Sequence, residues 1–177
     1  MTITTRDIDL DLKVAEFRIN GYSVIEDVLP VETVDRIREA FLPILEHIAE
    51  RETEGANKER GDLRTGFGRQ QLPKRYTAAV PWIEPFADPV VYENPAILEF
   101  LERYWGRSEF RIRCLHSNNP FPGTEFQHWH RDTNIATEIP NVGLDTSPII
   151  GVKFPLVDTS EENGSIEVLP STQYLAN

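Results

Sequence analysis

Two of the four histidines in this chain fall in one seven-residue segment, Phe126-Gln127-His128-Trp129-His130-Arg131-Asp132. A carboxylate stands two places beyond His130. In an extended strand, residues two apart point to the same face. His130 and Asp132 can therefore meet one metal ion if the strand bends at Asp132. An imidazole paired with a carboxylate suits iron(II) in the arrangement of two histidines and one carboxylate, which leaves the remaining coordination positions open for chemistry. Taken alone, His-x-Asp is a short pattern. Its plain alternative is a strand end at which Asp132 caps a turn and His130 is solvated.

His128 shares the face of His130 in an ideal strand. At about 3.3 Å per residue it would lie roughly 13 Å from Asp132. Both could not reach one ion without strong bending, so His128 reads as a pocket residue behind the ligands. His116 lies near the end of the preceding strand candidate and can line the same cavity. His47 falls off the apolar stripe of its helix and is expected to face solvent. A basic stretch holds Arg64, Arg69, Lys74 and Arg75 amid Gly66, Gly68, Phe67 and Tyr76. It reads either as a lid that grips an anionic substrate or as a solvated loop. No nucleophile-elbow spacing and no glycine-rich phosphate loop occurs.

The elements that would position these residues divide the chain in two. Residues 1–12 read as a polar tail, and 13–106 as mainly helical. Asn20-Gly21 is a turn signal leading into a strand candidate at Tyr22 to Ile25. Val34, Ile37, Phe41, Leu45 and Ile48 recur at helical spacing and predict a helix from Val31 to about Arg51, kinked or divided at Pro43. Glu52 to about Thr77 has no clean period and reads as a long loop. Asn94-Pro95 predicts a capped helix start, and Gly106 its stop. Residues 107–177 then change to β character. Phe110 to Leu115 alternates, Ile149 to Val157 is apolar, and Asn163-Gly164 before Ile166 to Leu169 is a hairpin signal. No strand–helix alternation of the doubly wound kind is present. The fold class expected is α+β, a sheet system with the helices packed on it.

Length and composition are those of one globular domain: 177 residues, 40% hydrophobic and 27% charged. The formal net charge of -11 argues against nucleic acid and against an anionic membrane surface. No apolar run is long enough for a membrane span, and the polar start lacks the pattern of a secretory leader. With Cys114 as the single cysteine, a disulfide framework is excluded, which points to the cytoplasm.

The surroundings of the histidine segment sharpen its meaning. Phe17 to Glu26 followed by Leu29-Pro30 and a helix resembles the opening of the phytanoyl-CoA dioxygenase family. Pro81-Trp82-Ile83-Glu84-Pro85, then Asn94-Pro95 and its helix, is similar in a less specific way. Gln127 to Asp132 resembles that family's iron-binding strand, and Val157 to Ser171 the hairpin that follows it. The order of the pieces, from about Phe17 to the last residues, is more specific than any one of them.

The resemblance implies a double-stranded β-helix, a cupin-like jelly roll, of which this chain carries the N-terminal portion and leaves the C-terminal strands incomplete. It implies Fe(II) as cofactor and 2-oxoglutarate as co-substrate, with hydroxylation of a small-molecule substrate as the usual outcome. His130 and Asp132 match the first two iron ligands. The third, a histidine, and an arginine for the far carboxylate of 2-oxoglutarate are expected beyond residue 177. Leu115 falls where the family often lines the co-substrate pocket. Lys153 falls near a position where relatives often place an aromatic residue. The family's usual Pro-Gly-Ser-His run is here Pro170-Ser171-Thr172-Gln173. On this reading residues 1–177 form a single domain that is part of a longer dioxygenase, with weak iron binding and no coupled turnover in the chain as given. The alternatives are a catalytically inactive cupin-like small-molecule binding module, or a sheet completed by a partner chain.

Overall fold

The N-terminal helix forms because both of its ends are satisfied locally. In the computed structural model, which describes residues 8–53, 69–72, 74–130 and 149–173, α1 spans Leu10–Asn20. The Asp9 carboxylate accepts from the Leu12 amide at 3.0 Å, which serves one of the donors a helix start leaves without a partner. Gly21 closes the other end in the left-handed conformation, φ 82°, donating its N–H to the Phe17 carbonyl at 2.8 Å. The expected tail thus ends before Leu10, and residues 10–12 belong to the helix. Asn20-Gly21 marks a helix cap, and no strand follows it at Tyr22 to Ile25.

The long helix α2 runs undivided from Val31–Thr53, through Pro43. Proline removes the amide that would serve the Glu39 carbonyl. Glu39 and Pro43 are both exposed, so water can serve it instead. A short helix, α3 (Pro89–Tyr92), precedes α4 (Pro95–Trp105). Asn94 caps α4 as expected, its Oδ1 accepting from the Ile97 amide at 3.3 Å, and Gly106 ends it at φ 65°. The Asn94 amide also donates to the carbonyls of Val28 at 2.6 Å and Val90 at 3.2 Å. One nearly buried side chain thereby ties the entry to α2, α3 and α4 together.

The described strands make one antiparallel sheet in the order β1-β2-β3, with β1 at Arg69–Leu72, β2 at Arg75–Ala79 and β3 at His116–Pro120. The expected loop over Glu52 to Thr77 is therefore strand over its last part. Phe110 to Leu115, Ile149 to Val157 and Ile166 to Leu169 do not pair as strands. A strand exists through its ladder, and alternation alone does not supply a neighbour. The Asn163-Gly164 signal is a 3-10 turn, Glu161–Asn163, ended by Gly164 at φ 83°. Its Asn163 side chain accepts from the Ser160 amide and donates to the Asp158 carbonyl, at 2.8 and 2.6 Å. Those local bonds compete with a hairpin ladder.

Two apolar clusters hold the elements. Ile37, Phe41 and Ile48 of α2 pack with Tyr76 and Ala78 of β2 and with Phe86, so α2 covers one face of the sheet. Leu10 and Val14 of α1 pack with Phe100, Leu101 and Tyr104 of α4. Phe17 sits edge-on to the rings of Phe100 and Tyr104 at 5.6 and 5.0 Å, the geometry aromatic quadrupoles favour. Arg103 joins Glu99 and Asp11 across the same helix pair. The result is α+β, with helices on a small antiparallel sheet. Among the described residues no helix is long and apolar enough to cross a membrane.

Candidate metal and substrate site

The segment around His130 follows β3 through the turn at Pro122 and Gly123, where Phe121 donates its amide to the Lys74 carbonyl at 2.9 Å. Its described part, up to His130, belongs to no helix or strand and bends at Trp129, and His128 and His130 are both exposed. Their rings lie 5.7 Å apart, centre to centre, inclined at 57°. Nδ1 of His130 is 2.9 Å from the carbonyl oxygen of His128. A carbonyl only accepts, so Nδ1 carries the proton and Nε2 is the basic nitrogen. This is how proteins commonly prepare a histidine for a metal: the far nitrogen donates to an oxygen, which fixes the tautomer and the ring. His128 thus meets the His130 ring through its backbone carbonyl. Asp132 lies outside the described residues. Among the described residues, no three His, Cys, Asp or Glu side chains gather as a metal-holding group. His130 therefore fits an imidazole-binding divalent ion by its donor chemistry, as one ligand that needs others.

The β2–β3 ladder has two chemically different faces. Its register pairs Arg75 with Pro120, Thr77 with Asn118 and Ala79 with His116. Tyr76 and Ala78, with Leu115 and Phe121, turn toward α2 and its cluster. Arg75, Thr77, His116 and Asn118 share the other face by the alternation of strand residues. On that face the Thr77 hydroxyl donates to Asn118 Oδ1 at 3.0 Å. Cys114 Sγ lies 3.5 Å from His116 Nδ1.

Placement of the other expected residues follows. His116 stands on the polar face and is exposed. Leu115 is packed against the α2 cluster, behind the wall rather than on the polar face. Lys153 is exposed in an extended segment. His47 is exposed on α2. Of the basic stretch, Lys74 and Arg75 sit at the start of β2, Arg69 opens β1, and Arg64 lies outside the described residues. The Thr77–Asn118 pair was not legible in the sequence. Its partners are 41 positions apart and meet only through the register.

The clasp near the end of the chain explains one departure from the family pattern. Ser171 takes the place of the expected glycine and holds the left-handed backbone, φ 63°, that glycine adopts freely. Its hydroxyl donates to the Ile19 carbonyl at 3.0 Å and its amide to Asn20 at 3.0 Å. Gln173, in the histidine position, donates to the carbonyls of Arg18 and Ile19 at 2.9 and 3.2 Å. The run thus serves carbonyls at the end of α1 that the helix itself leaves unbonded.

Comparison with known proteins adds one positive result. No curated protein and no solved structure matches. The family model described as phytanoyl-CoA dioxygenase matches residues 17–177. That span takes in α1 from Phe17, the sheet, the His130 segment and the clasp. A match across so much of the sequence makes this chain a member of the phytanoyl-CoA dioxygenase family.

Proposed function

We propose that this chain carries the iron-binding front of a non-haem iron(II)- and 2-oxoglutarate-dependent dioxygenase that hydroxylates a small organic substrate. Family membership supports the oxygenase class, since the family is generally dependent on both. The observation that carries the reading to a residue is the bond from His130 Nδ1 to the His128 carbonyl, which presents Nε2 as a ligand atom. His130 and Asp132 would hold the iron, and a further histidine would complete the set. When bound, the iron supplies the site at which dioxygen and 2-oxoglutarate are brought to react.

The chain's own residues have three tasks in this scheme. The His128 carbonyl holds the His130 proton away from the metal side. The polar face of β2 and β3 forms a wall, with Leu115 backing it and Lys153 offering a cation to the co-substrate. The helix α2 braces the sheet from behind, and α4 packs on α1. We place these parts in one domain of jelly-roll architecture, and the protein in the cytoplasm on the grounds of its cysteine usage.

In a longer form that carries the expected third histidine and the arginine, anaerobic addition of iron(II) and 2-oxoglutarate should give a weak visible charge-transfer band. His130→Ala should abolish it. Persistence of the band in that variant would show that the ligand assignment is wrong.

A further inference from the structure

Arg75 is half-buried, and its Nε is closed to solvent without a hydrogen-bond partner. No described carboxylate pairs with it, although the chain has 29 acidic residues to 18 basic ones. A buried donor on a permanently charged group is costly to leave without an acceptor. Its setting is equally one-sided. The diagonal neighbour across the ladder is Asn118, within reach of a long side chain. Asn118 Oδ1 already accepts from the Thr77 hydroxyl, which fixes the amide and leaves its Nδ2 as the donor of an exposed side chain. A guanidinium whose Nε lacks an acceptor, on the same face as an amide donor one diagonal across the ladder, asks for a ligand that only accepts.

We propose that Arg75 and Asn118, held by Thr77, form an oxyanion site that takes a carboxylate or phosphate group of a ligand bound against the β2–β3 face. The proposal rests on the function proposed above in one respect only, that this face lines the active pocket. The oxyanion can come from the primary substrate or from the co-substrate, and the guanidinium fork suits either. His116 stands two residues along β3 on the same face and borders the rest of the ligand.

Inorganic phosphate is the probe. Titrated into the full chain at constant ionic strength, it should raise the thermal midpoint saturably, where chloride does not. Arg75→Gln should weaken the apparent phosphate affinity by roughly tenfold to a hundredfold, the loss expected for a charge-assisted pair. Asn118→Ala should weaken it less, and serves alone if Arg75→Gln does not fold. Unchanged phosphate affinity in Arg75→Gln with its fold retained overturns the site, as does an equal response to chloride. If Arg75→Gln does not fold, unchanged affinity in Asn118→Ala overturns it. Repeating the titration with saturating 2-oxoglutarate and iron(II) separates the sources. A response that persists assigns the site to the primary substrate, and one that vanishes assigns it to the co-substrate. His130→Ala should leave the phosphate response intact, so the iron assignment and the oxyanion site fail independently.

Discussion

Single atoms decide how this protein divides its polar groups between structure and chemistry. Tyr76 is fully buried against Phe121, whose ring stands edge-on to it at 5.1 Å. Its hydroxyl is buried with no hydrogen-bond partner. A buried hydroxyl without a partner costs about 1–3 kcal/mol. Tyr76→Phe keeps the ring packing and removes that cost. It is expected to raise stability in urea unfolding, by up to about 1–2 kcal/mol by the same reasoning. A loss instead would show that the hydroxyl is served in solution. Asn94 is the opposite case. It is 2% exposed and every polar atom of its side chain is used. Asn94→Ala removes a helix cap, worth about 0.5–2 kcal/mol, and leaves the Val28 carbonyl without its donor, about 1–3 kcal/mol more. Asn94→Ser should keep part of the cap and lose the tie, so its measured cost should fall between wild type and alanine.

At the scale of elements, the joint between α1 and the clasp is the most exacting contact. A Cβ at Gly21 would lie 2.8 Å from Oε1 of Gln173, and its backbone is left-handed. Gly21→Ala should therefore destabilise by about 1–2 kcal/mol from the conformation alone, with more from displacement of Gln173. In a double-mutant cycle with Gln173→Ala, the second part should disappear and the first remain. Additive costs would mean that the two residues do not touch. The same elements show what the sequence made legible. α2 and α4 were readable because their buried residues fall on one stripe and Asn94-Pro95 is an unambiguous start. α1 was hidden because its apolar residues surround it: Leu10 and Val14 are buried, while Leu12 and Ile19 are exposed at 54% and 65%. The first part of β2 was taken for loop because its core side is one tyrosine and one alanine, Tyr76 and Ala78, and its other side is Arg75, Thr77 and Ala79. The candidate ligand His130 was visible as part of a pattern of two residues. Its tautomer and the Thr77–Asn118 pair were not, since both depend on atoms that only the fold brings together.

Across the described residues, the buried apolar side chains all lie between Leu10 and Tyr104, whereas large exposed ones occur throughout. The two core clusters draw their buried members from α1, α2, β2, α4 and Phe86. Large exposed hydrophobics occur on both sides of α4, but those after it, such as Phe126, Trp129, Val157 and Ile166, have no buried apolar residue near them in sequence among the described residues. Opening free energy follows buried apolar contact and backbone pairing. Amide hydrogen exchange should therefore be slowest in α2, α4 and the β2–β3 ladder, where opening approaches global unfolding. Amides of 152–157 and 166–169, outside any helix or ladder, should exchange at rates close to those of an unfolded chain. Peptide-level mass spectrometry separates these regions directly. Protection over 152–157 equal to that of β2 would mean that this segment is paired in solution, and that the helical half is not the stable part of the protein. The order matters for the proposed site, because Arg75, Thr77 and Asn118 stand on the protected ladder, whereas His130 stands on a segment with little packing of its own. The oxyanion wall would then be formed before any ligand arrives, and the histidine segment would gain its rigidity from what it binds.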